Sequence, residues 1–371
     1  MTQERMKIVL VAGARPNFMK VAPIIREFRK HEEVFDWRLV HTGQHYDHGM
    51  SDVFFEELGI PQPNFHMGAG GGSHAEQTAR IMMAFEKYCD ETKPDMVMVV
   101  GDVNSTLACS IVAKKMNIRV AHVEAGLRSG DMSMPEEINR IVTDSISDLF
   151  FVTEPSGVEN LKREGHAKER IHFVGHVMID NLFFQLAKLD EVASSDFGTS
   201  ALKASLGVYG VVTLHRPSNV DNPENLRSIV AALSQIGSRL PLVFPVHPRT
   251  EANLRKFGIA LPASIHTSPP LPFMEFLNLW RAAKVVFTDS GGLQEETTAL
   301  GIPCVTLREN TERPVTVTEG TNLLAGARPD KILEAAATAL GVTGESRVRC
   351  PALWDGRAAE RIVRILTAAG S

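Results

Sequence analysis

The sequence predicts an α/β protein built from two doubly wound, Rossmann-like domains with a cleft between them. Its 371 residues are enough for two domains of ordinary size. Short apolar runs alternate with amphipathic stretches, and this alternation is typical of parallel strands covered by helices on both faces. The pattern lapses over residues 180–205 and then resumes, so we place the domain boundary between about residues 176 and 206.

Each apolar run predicts a strand, and each amphipathic stretch predicts a helix. In the first half, the predicted strands are Lys7–Ala12, Trp37–His41, Met96–Val100, Val120–Val123, Leu149–Thr153 and Ile171–Val174. The predicted helices between them are Pro23–Lys30, Ala75–Cys89, Thr106–Met116, Glu136–Ile146 and Pro155–Arg163. In the second half, the predicted strands are Gly210–Leu214, Leu242–Val246, Ser264–Thr267, Lys284–Thr288 and Cys304–Leu307.

The predicted first domain therefore covers residues 1–180, and the second covers residues 206–355. Between them, residues 180–205 predict one helix and a polar linker. Residues 356–371 contain a last amphipathic segment, Gly356–Ala368. This segment predicts a helix that either closes the second domain or crosses back to the first.

Two segments of the chain echo each other. Val99–Leu107 leads through a helix to Asn117–His122, and Phe287–Leu293 leads through a helix to Gly301–Thr306. Both follow the order strand, aspartate, small residues, helix, small turn, strand. The echo indicates two similar domains, whose ligands bind in the cleft facing the carboxyl ends of the strands.

The composition is that of a soluble globular protein, with 44% hydrophobic and 22% charged residues. A net charge of −5 gives no electrostatic footprint for nucleic acid or for a membrane surface. The apolar run Ile8–Ala12 is too short for a signal peptide or a membrane span, so we expect a cytoplasmic protein. The widely spaced cysteines predict buried thiols in a reducing compartment: Cys89, Cys109, Cys304 and Cys350.

No metal site is predicted, although the chain has 13 histidines. None of them belongs to an HExxH or similar cluster. His45 and His48 lie beside Asp47 in a glycine-flanked segment, and a polar loop is the simpler interpretation of that group. The chain also lacks the GxGxxG fingerprint, which argues against a nicotinamide or flavin dinucleotide.

The segment Val285–Thr297 carries the strongest signal for a ligand. A short apolar strand stops at Asp289, turns through small residues and opens into a helix; the small residues are Ser290, Gly291 and Gly292. Such a turn points backbone N–H groups and the positive end of a helix dipole at a phosphate or diphosphate. Glu295 or Glu296, placed beside it, accepts hydrogen bonds from sugar hydroxyls, which suggests a nucleoside diphosphate. The alternative is an ordinary strand–turn–helix with a capped end.

Acidic residues follow the predicted strands of the first half. Asp102 sits at one strand end, as a helix cap or a catalytic acid, and Glu124 follows the next strand in a glycine-rich loop with Arg128. Glu136 and Arg140 are four residues apart and share one helix face, which is also the spacing of a plain surface ion pair. Three carboxylates at neighbouring strand ends repel unless a ligand, a cation or protonation accommodates them.

Basic residues complete the pattern at other predicted strand ends. Arg15 and Lys20 place two cations near the first glycine turn, where they either bind a ligand or are simply solvated. In the second half, candidate cations and histidines follow successive strands: His215, Arg216, His247, Arg249 and Arg313. Arg313 is a candidate diphosphate clamp. The sequence therefore predicts a phosphate-binding second domain facing an acid-rich first domain.

Taken together, these segments resemble the non-hydrolysing UDP-N-acetylglucosamine 2-epimerases over nearly the whole chain. The matching segments are GARPNFMK, TGQHYDHGMSDVFFEELGI, VVGDVNSTLA, HVEAGLRSGD, MPEEINR, TLHRPSNVD, FPVHPRT, TDSGGLQEETTALGIPCVTLRENTERP and GTNLLAG. The resemblance implies a fold shared with the nucleotide-sugar glycosyltransferases (glycosyltransferase-B-like) and a homodimer. It also implies interconversion of UDP-GlcNAc and UDP-ManNAc with neither a metal nor a redox cofactor.

By motif, the resemblance assigns acid/base and sugar contacts to Asp102, Glu124, Glu136 and His215. It assigns cleft cations to Arg15, Lys20 and Arg140, and the UDP site to Ser290, Gly291, Gly292, Glu296 and Arg313. In the implied reaction, breaking the C1–O bond to UDP acidifies the C2 proton, and a glycal is held while a proton returns to the opposite face. Carboxylates on both faces of the sugar are therefore needed.

The resemblance leaves allosteric activation open. Some bacterial members are activated by UDP-GlcNAc at a second site, parts of which match Gln44, His45, Arg216 and His247. The loop Met67–His74, however, has no arginine where those members carry one. This departure puts activation by UDP-GlcNAc in question for this chain.

Four functions remain in competition on the sequence alone. They are the reversible epimerase, a relative that hydrolyses UDP-GlcNAc to ManNAc and UDP or epimerises a modified UDP-amino sugar, a glycosyltransferase, and a catalytically silent nucleotide-sugar sensor. A glycosyltransferase needs an acceptor cleft and has no use for acids on both faces of the sugar. A sensor has no need of several acids in one cleft, so the epimerase is favoured.

Overall fold

The computed structural model describes residues 4–43, 52–192, 197–341 and 350–370. The chain divides into two compact units, which we describe separately. Unit 1 comprises residues 1–183 and 352–371, and unit 2 comprises residues 184–351. The predicted residues Gln44 and His45 lie outside the described ranges, as does the His45, Asp47 and His48 group.

Unit 1 is built on a parallel sheet that, within the described residues, has seven strands in the order β3-β2-β1-β4-β5-β6-β7. The strands are β1 Met6–Ala12, β2 Phe35–His41, β3 Phe65–His66, β4 Met96–Val100, β5 Arg119–Val123, β6 Leu149–Val152 and β7 Ile171–Phe173. The order reverses between β1 and β4, which pair in parallel. A crevice for a ligand opens at such a reversal, outside the carboxyl ends of the strands. The predicted α/β, doubly wound architecture is confirmed here.

The helices of unit 1 pack on both faces of this sheet. They are α1 Arg15–Phe28, α2 Asp52–Leu58, α3 His74–Thr92, α4 Asn104–Lys115, α5 Pro135–Ile146 and α6 Pro155–Arg163, and α7 Val177–Glu191 runs on into unit 2. The predicted start of the first helix at Pro23 is wrong. Pro16 occupies the first turn instead, and the Asn17 side chain accepts hydrogen bonds from the Gly13 and Ala14 amides, which fixes the turn earlier in the chain.

Unit 2 repeats the architecture with a parallel sheet in the order β10-β9-β8-β11-β12-β13, counted over the residues the structure describes. The strands are β8 Gly210–Thr213, β9 Leu242–Pro245, β10 Ile265–Ser268, β11 Val285–Thr288, β12 Cys304–Thr306 and β13 Asn322–Leu324. The helices are α8 Ser200–Leu206, α9 Pro217–Val220, α10 Pro223–Gly237, α11 Pro248–Lys256, α12 Phe273–Trp280, α13 Gly291–Ala299, α14 Val315–Thr318 and α15 Pro329–Gly341. The order reverses between β8 and β11.

The segment predicted as one helix and a polar linker contains two helices, α7 and α8. Helix α8 is held by tertiary contacts rather than by its own pattern. The Thr199 amide donates to the Glu275 carboxylate (2.8 Å), and the Lys203 ammonium donates to the Asn278 carbonyl (2.9 Å). These bonds to α12 explain why a short polar stretch is helical.

The last helix, α16 Ala358–Gly370, belongs to the core of unit 1. Its apolar side chains Ile362 and Leu366 are fully buried in the hydrophobic core of unit 1, where they pack with apolar side chains of α1. The Asp180 carboxylate of α7 caps its first turn by accepting from the Ala358 and Ala359 amides (3.0 and 2.7 Å). None of the helices described above combines the length and the apolar composition needed to span a bilayer.

Candidate active site

The carboxyl ends of β1 and β5 in unit 1 bring together two of the predicted residues, Lys20 and Glu124. The Lys20 ammonium of α1 forms an ion pair with the Glu124 carboxylate, which directly follows β5. Both groups are largely withdrawn from solvent, with 12% of the Lys20 side chain and 3% of the Glu124 side chain exposed. Glu124 itself has a left-handed backbone (φ +69°), which turns its side chain out of the strand direction. The carboxylate is thus held beside a cation at the switch point of the sheet.

Gly101 makes room for this ion pair. Its φ of +67° lies in the left-handed region, and a Cβ at this position would lie 2.8 Å from Lys20 Nζ and 3.5 Å from Glu124 Oε2. Only glycine satisfies both the backbone angle and the close approach of the ammonium group. The next residue is Asp102, so the same turn also sets the direction of the second predicted acid.

Asp102 lies at the start of the turn into α4 and is 28% exposed. Its carboxylate accepts a 2.6 Å hydrogen bond from Arg140 Nη1 of α5, and its carbonyl accepts from the Asn139 side chain (2.8 Å). Arg140 is buried, so this ion pair is well shielded from water. The structure therefore pairs Asp102 of the segment VVGDVNSTLA with Arg140 of the segment MPEEINR.

Arg140 pairs with Glu137 rather than with Glu136, so the alternative of a plain surface ion pair between Glu136 and Arg140 is wrong. The second partner of Arg140 is Glu137, three residues before it on α5 (3.0 Å). Glu137 is buried and also accepts hydrogen bonds from the Ser129 and Gly130 amides (3.0 and 2.9 Å), which anchors the loop before α5. These contacts lower the pKa of Glu137 even though its burial alone would raise it. Glu136 is partly exposed at the first turn of α5.

Glu137 was missed because an i,i+4 spacing and an i,i+3 spacing fit one helix face equally well. Asn17 was missed as well, and its side-chain amide donates to the Val100 carbonyl (3.3 Å), tying the first turn of α1 to the end of β4. The sequence signal for Asn17 is its position in the segment GARPNFMK, one residue after Pro16. Arg15 is exposed, and its guanidinium stacks on the Phe54 ring at 4.9 Å from the ring centre.

The glycine-rich loop Met67–His74 carries no arginine of its own, but Arg80 of α3 reaches it. The Arg80 guanidinium donates to the carbonyls of Gly70 (3.1 Å) and Gly71. A cation is thus supplied to this loop from the neighbouring helix.

In unit 2, the start of α13 has the features of a phosphate site. Ser290 is the N-cap residue, yet its side chain makes no capping hydrogen bond, so the first turn of α13 lacks the side-chain cap that an ordinary helix start would have. A Cβ at Gly291 or Gly292 would meet no atom within 4 Å, and neither residue has a positive φ. Neither the backbone angle nor crowding within the protein explains these glycines, and open space above a helix N-terminus suits close approach by an anion.

Two glutamates of α13 have different environments. Glu295 is buried and forms an ion pair with the Arg313 guanidinium. Glu296 is only partly exposed, and burial together with the neighbouring Glu295 carboxylate raises its pKa to about 8. Glu296 is therefore mainly protonated at neutral pH, whereas Arg313 is oriented by a fixed anion. The predicted ribose acceptor thus lies on α13, and the predicted diphosphate clamp, which precedes α14, is paired with the residue beside that acceptor.

Arg308 is a cation of this region that the sequence did not single out. It follows β12, its side chain is 14% exposed, and its guanidinium pairs with Glu312 (3.1 Å). Burial tends to raise the pKa of Glu312, but Arg308, with Arg313 and Arg216 further off, outweighs it and lowers the pKa. Three arginines therefore surround one carboxylate near the start of α13. The sequence signal for Arg308 is its position as a basic residue two positions after the end of β12.

His215 and Arg216 are held by one buried carboxylate, that of Asp289. Asp289 accepts from the amides of His215 (3.1 Å) and Arg216 (2.9 Å), and it pairs with the His215 ring at 3.0 Å. Burial would raise the pKa of Asp289, but these contacts lower it. The His215 ring remains 41% exposed, and its centre lies 6.2 Å from that of His247, which caps α11.

Among the described residues, no group of three or more histidine, cysteine, aspartate or glutamate side chains is arranged to hold a metal ion. The expectation of a reaction without metal or redox cofactor stays a prediction. The described site residues thus form two groups. Unit 1 has two ion pairs between an acid and a cation, and unit 2 has a helix start suited to phosphate and three arginines.

Comparison with known proteins gives a consistent result. Residues 26–367 match the family model described as UDP-N-acetylglucosamine 2-epimerase. The UDP-N-acetylglucosamine 2-epimerase of Methanocaldococcus jannaschii is 40% identical, over 98% of this chain and 99% of its own length. The UDP-2,3-diacetamido-2,3-dideoxy-D-glucuronate 2-epimerase of Pseudomonas aeruginosa is 42% identical, over 91% of this chain and 93% of its own length.

The fold agrees with the sequence match. A crystal structure of the M. jannaschii enzyme in complex with UDP-GlcNAc and UDP superposes with a TM-score of 0.82, covering 98% of this chain and 100% of that one at 40% identity. The match to the M. jannaschii enzyme extends over nearly the whole chain, and the family-model match covers all of the predicted site residues except Arg15 and Lys20, which precede residue 26. This chain belongs to the UDP-N-acetylglucosamine 2-epimerase family.

Proposed function

We propose that this protein interconverts UDP-GlcNAc and UDP-ManNAc by inverting C2 of the sugar. The observation that carries the proposal is the pairing of two acids with two cations at the switch point of unit 1, Glu124 with Lys20 and Asp102 with Arg140. Inversion at a carbon next to the anomeric centre needs a base on one face and an acid on the other. Each ion pair fixes the position of its carboxylate, which suits proton transfer to and from a bound sugar.

In the proposed reaction, unit 2 binds the UDP group. The start of α13 accepts the diphosphate, where the backbone N–H groups and the helix dipole favour negative charge. Arg313, held by Glu295, adds a charge-assisted hydrogen bond, and Glu296 accepts hydrogen bonds from the ribose hydroxyls. These donors also stabilise UDP when it departs as the leaving group.

The chemical step is an elimination followed by re-addition. The C1–O bond to UDP breaks as a carboxylate of unit 1 removes the C2 proton. The product of this elimination is a glycal with a C1–C2 double bond. A second acid then donates a proton to the other face of C2 while UDP re-forms its bond to C1. No electrons leave the substrate, so the step balances without a redox partner. Glu124, Asp102, Glu136 and His215 are the proposed acid, base and sugar-contacting residues.

Proton NMR of UDP-GlcNAc incubated with the protein in deuterated water tests this reaction. We expect UDP-ManNAc to appear and deuterium to enter C2 of both sugars. Turnover with C2 fully protonated would contradict proton abstraction by groups that exchange with solvent. Steady accumulation of free ManNAc and UDP would instead identify the hydrolysing reaction, since the reversible epimerase keeps UDP attached at equilibrium.

A second substrate is favoured by one specific comparison. The P. aeruginosa relative, which acts on a UDP-diacetamido-dideoxy-glucuronate, is as similar to this chain as the M. jannaschii enzyme. The two sugars differ at C3 and C6, so both keep the C2 chemistry described above. Measurement of kcat/KM for both substrates under one set of conditions decides between them, and a ratio above about 10²-fold corresponds to roughly 2.7 kcal/mol of discrimination.

For the partner and the compartment, we propose a homodimer in the cytoplasm. The dimer is implied by the family, and α3 and α5 of unit 1 expose large apolar side chains, with Met83 65% and Ile138 44% exposed. Cys89, Cys109 and Cys304 are buried and without disulfides, in keeping with a reducing compartment, whereas the predicted burial of Cys350 is wrong because this cysteine is exposed. Light scattering should give twice the 40.7 kDa chain mass, and Ile138→Lys should shift it toward the monomer.

A further inference from the structure

His122 is a fully buried histidine at the end of β5, and both of its ring nitrogens face oxygen atoms. Nδ1 lies 2.6 Å from a carboxylate oxygen of Asp144 on α5, and Nε2 lies 2.8 Å from the Gly101 carbonyl. A carbonyl and a carboxylate oxygen can only accept, so each contact requires a proton on the nitrogen. Turning the ring over would put carbon atoms at these two distances, which are too short for C–H contacts. The geometry therefore calls for an imidazolium.

The surroundings of His122 agree with a positive charge. Burial would raise the pKa of Asp144, but its contacts with His122 and Arg128 outweigh that effect and lower it. The Arg128 guanidinium pairs with Asp144 and with Glu164, both at 2.7 Å. Glu164 lies at the surface, so in the buried part of the cluster the Asp144 carboxylate faces His122 on one side and Arg128 on the other.

This cluster fastens the backbone from which the proposed acids project. His122 binds the carbonyl of Gly101, the residue before Asp102, while the Gly101 amide donates to the Val123 carbonyl (3.1 Å). Asp144 also accepts from the Gly126 amide (3.0 Å), two residues after Glu124. One buried ion pair thus holds the ends of β4 and β5 together. A neutral ring has only one N–H group, so its lone pair would face either the Gly101 carbonyl or the Asp144 carboxylate and one of the two contacts would be lost.

We propose that His122 is a doubly protonated positioning residue that fixes the Gly101–Asp102 and Glu124–Gly126 turns for proton transfer. The effect of His122 on catalysis rests on the proposed function. The charge state of His122 is independent of that function. His122 is fully buried, so we expect it to make no direct contact with the substrate or with UDP. Its substitution should therefore lower kcat while leaving KM and the UDP affinity of unit 2 nearly unchanged.

The charge state is tested on the whole protein without substrate. Long-range ¹⁵N–¹H correlation spectra of protein labelled at its histidines report whether each ring nitrogen carries a proton, and His122→Gln identifies the His122 signals. We expect both nitrogens of His122 to carry a proton at pH 7, as the two acceptor contacts require. A nitrogen of the unprotonated type on His122 at pH 7 would overturn the proposal.

The positioning role is tested by kinetics with a matched control. His122→Gln and Asp144→Asn should each reduce kcat about 10- to 100-fold, the cost of a small misplacement of reacting groups, and the double variant should lose no more than the worse single one. Asp148→Asn is the control, since Asp148 anchors the opposite end of β5 through the Val120 amide (2.8 Å) and Lys114 (2.9 Å). It should lower the unfolding temperature and leave kcat within about twofold.

The outcomes separate this inference from the proposed function. A wild-type protein that does not exchange the C2 proton refutes the proposed function, and the NMR spectra then still decide the charge of His122. Normal kcat in His122→Gln, or an equal loss in Asp148→Asn, would contradict the positioning role. Shifted backbone amide signals of Gly101, Asp102 and Gly126 in His122→Gln, with those of unit 2 unchanged, would support it.

Discussion

The Lys20 ammonium rests on the Glu124 carboxylate in the space where a side chain at position 101 would stand. A Cβ on Gly101 would lie 2.8 Å from Lys20 Nζ, so the ion pair and the glycine depend on each other. The relationship links three segments that are far apart in sequence, the start of α1 and the ends of β4 and β5. It also places the Lys20 ammonium and the Glu124 carboxylate beside Gly101, the residue that precedes Asp102.

Gly101→Ala should therefore damage activity more than stability. The methyl group displaces Lys20 from Glu124, and we expect kcat to fall at least tenfold, on the scale of a small misplacement of reacting groups. The φ of +67° adds a strain of about 1 kcal/mol. Gly165→Ala is the control, because Gly165 has a φ of +88° and open space around it. Equal unfolding temperatures with unequal kcat would confirm the prediction, and equal kcat would contradict it.

Removal of either acid should stop proton transfer without affecting UDP binding. Glu124→Gln and Asp102→Asn keep the shape of each side chain and remove its negative charge. We expect each to lower kcat by about 10²-fold or more, the range for loss of a general acid or base. Deuterium incorporation at C2 measures the chemistry, and calorimetry measures the affinity for UDP. A variant with near-normal exchange would show that its carboxylate serves only to shape the turn.

The parallel sheets and most site segments could be predicted because their signals are local. Strands buried on both faces appear as continuous apolar runs, and the echo between Val99–Leu107 and Phe287–Leu293 falls on β4 and β11, which occupy the same position beside the switch point of each sheet. The start of α13 was found for the same reason, since strand, small residues and helix follow directly along the chain.

The contacts that tune the site could not be predicted, because they join distant segments. Nothing near His122 in the sequence indicates that Asp144 and Gly101 would meet its ring, 22 and 21 residues away. Glu137 was passed over for Glu136, although the two differ by one helical position and only the fold decides which faces Arg140. Helix α8 owes its formation to Glu275 on α12, which lies 76 residues from Thr199.

Glu136 and Glu137 should behave differently despite being neighbours. Glu137→Gln breaks a buried ion pair with Arg140 and weakens the hold on the Ser129 and Gly130 amides, so we expect a loss of about 1–3 kcal/mol in the free energy of unfolding. Glu136→Gln removes a partly exposed charge and should change stability by less than about 0.5 kcal/mol. Urea unfolding of both variants measures the difference.

The kinetic result for this pair is equally specific. If Glu136 contacts the sugar as proposed, Glu136→Gln lowers kcat/KM while the fold is intact. Glu137→Gln should lower kcat by releasing Arg140 from its fixed position beside Asp102. A Glu136→Gln variant with wild-type kcat/KM would remove Glu136 from the proposed acid, base and sugar-contacting set.

The binding of UDP-sugars should strengthen as the pH rises toward 8, because of Glu296. Its pKa of about 8 lies above the ordinary value of 4.5, so the folded protein without ligand favours the protonated form. That contribution to stability is fully present below about pH 4.5 and is lost as the pH rises through about 8. Two ribose hydroxyls that donate to Glu296 favour the carboxylate form, so binding expels the proton. The affinity should fall as the pH drops, approaching about tenfold per pH unit well below 8.

Calorimetric titration with UDP-GlcNAc between about pH 6 and pH 8 measures this dependence around the pKa of Glu296. UDP-GlcNAc is preferred to UDP because its diphosphate has no terminal phosphate that titrates in the same range. The heat should also vary with the ionisation enthalpy of the buffer, since a proton is released on binding. Glu296→Gln carries no titrating group, so its affinity should be weaker at pH 8 and nearly independent of pH. An equally steep dependence in the variant would place the titrating group elsewhere, and a flat profile in the wild type would mean that ribose does not bind the Glu296 carboxylate.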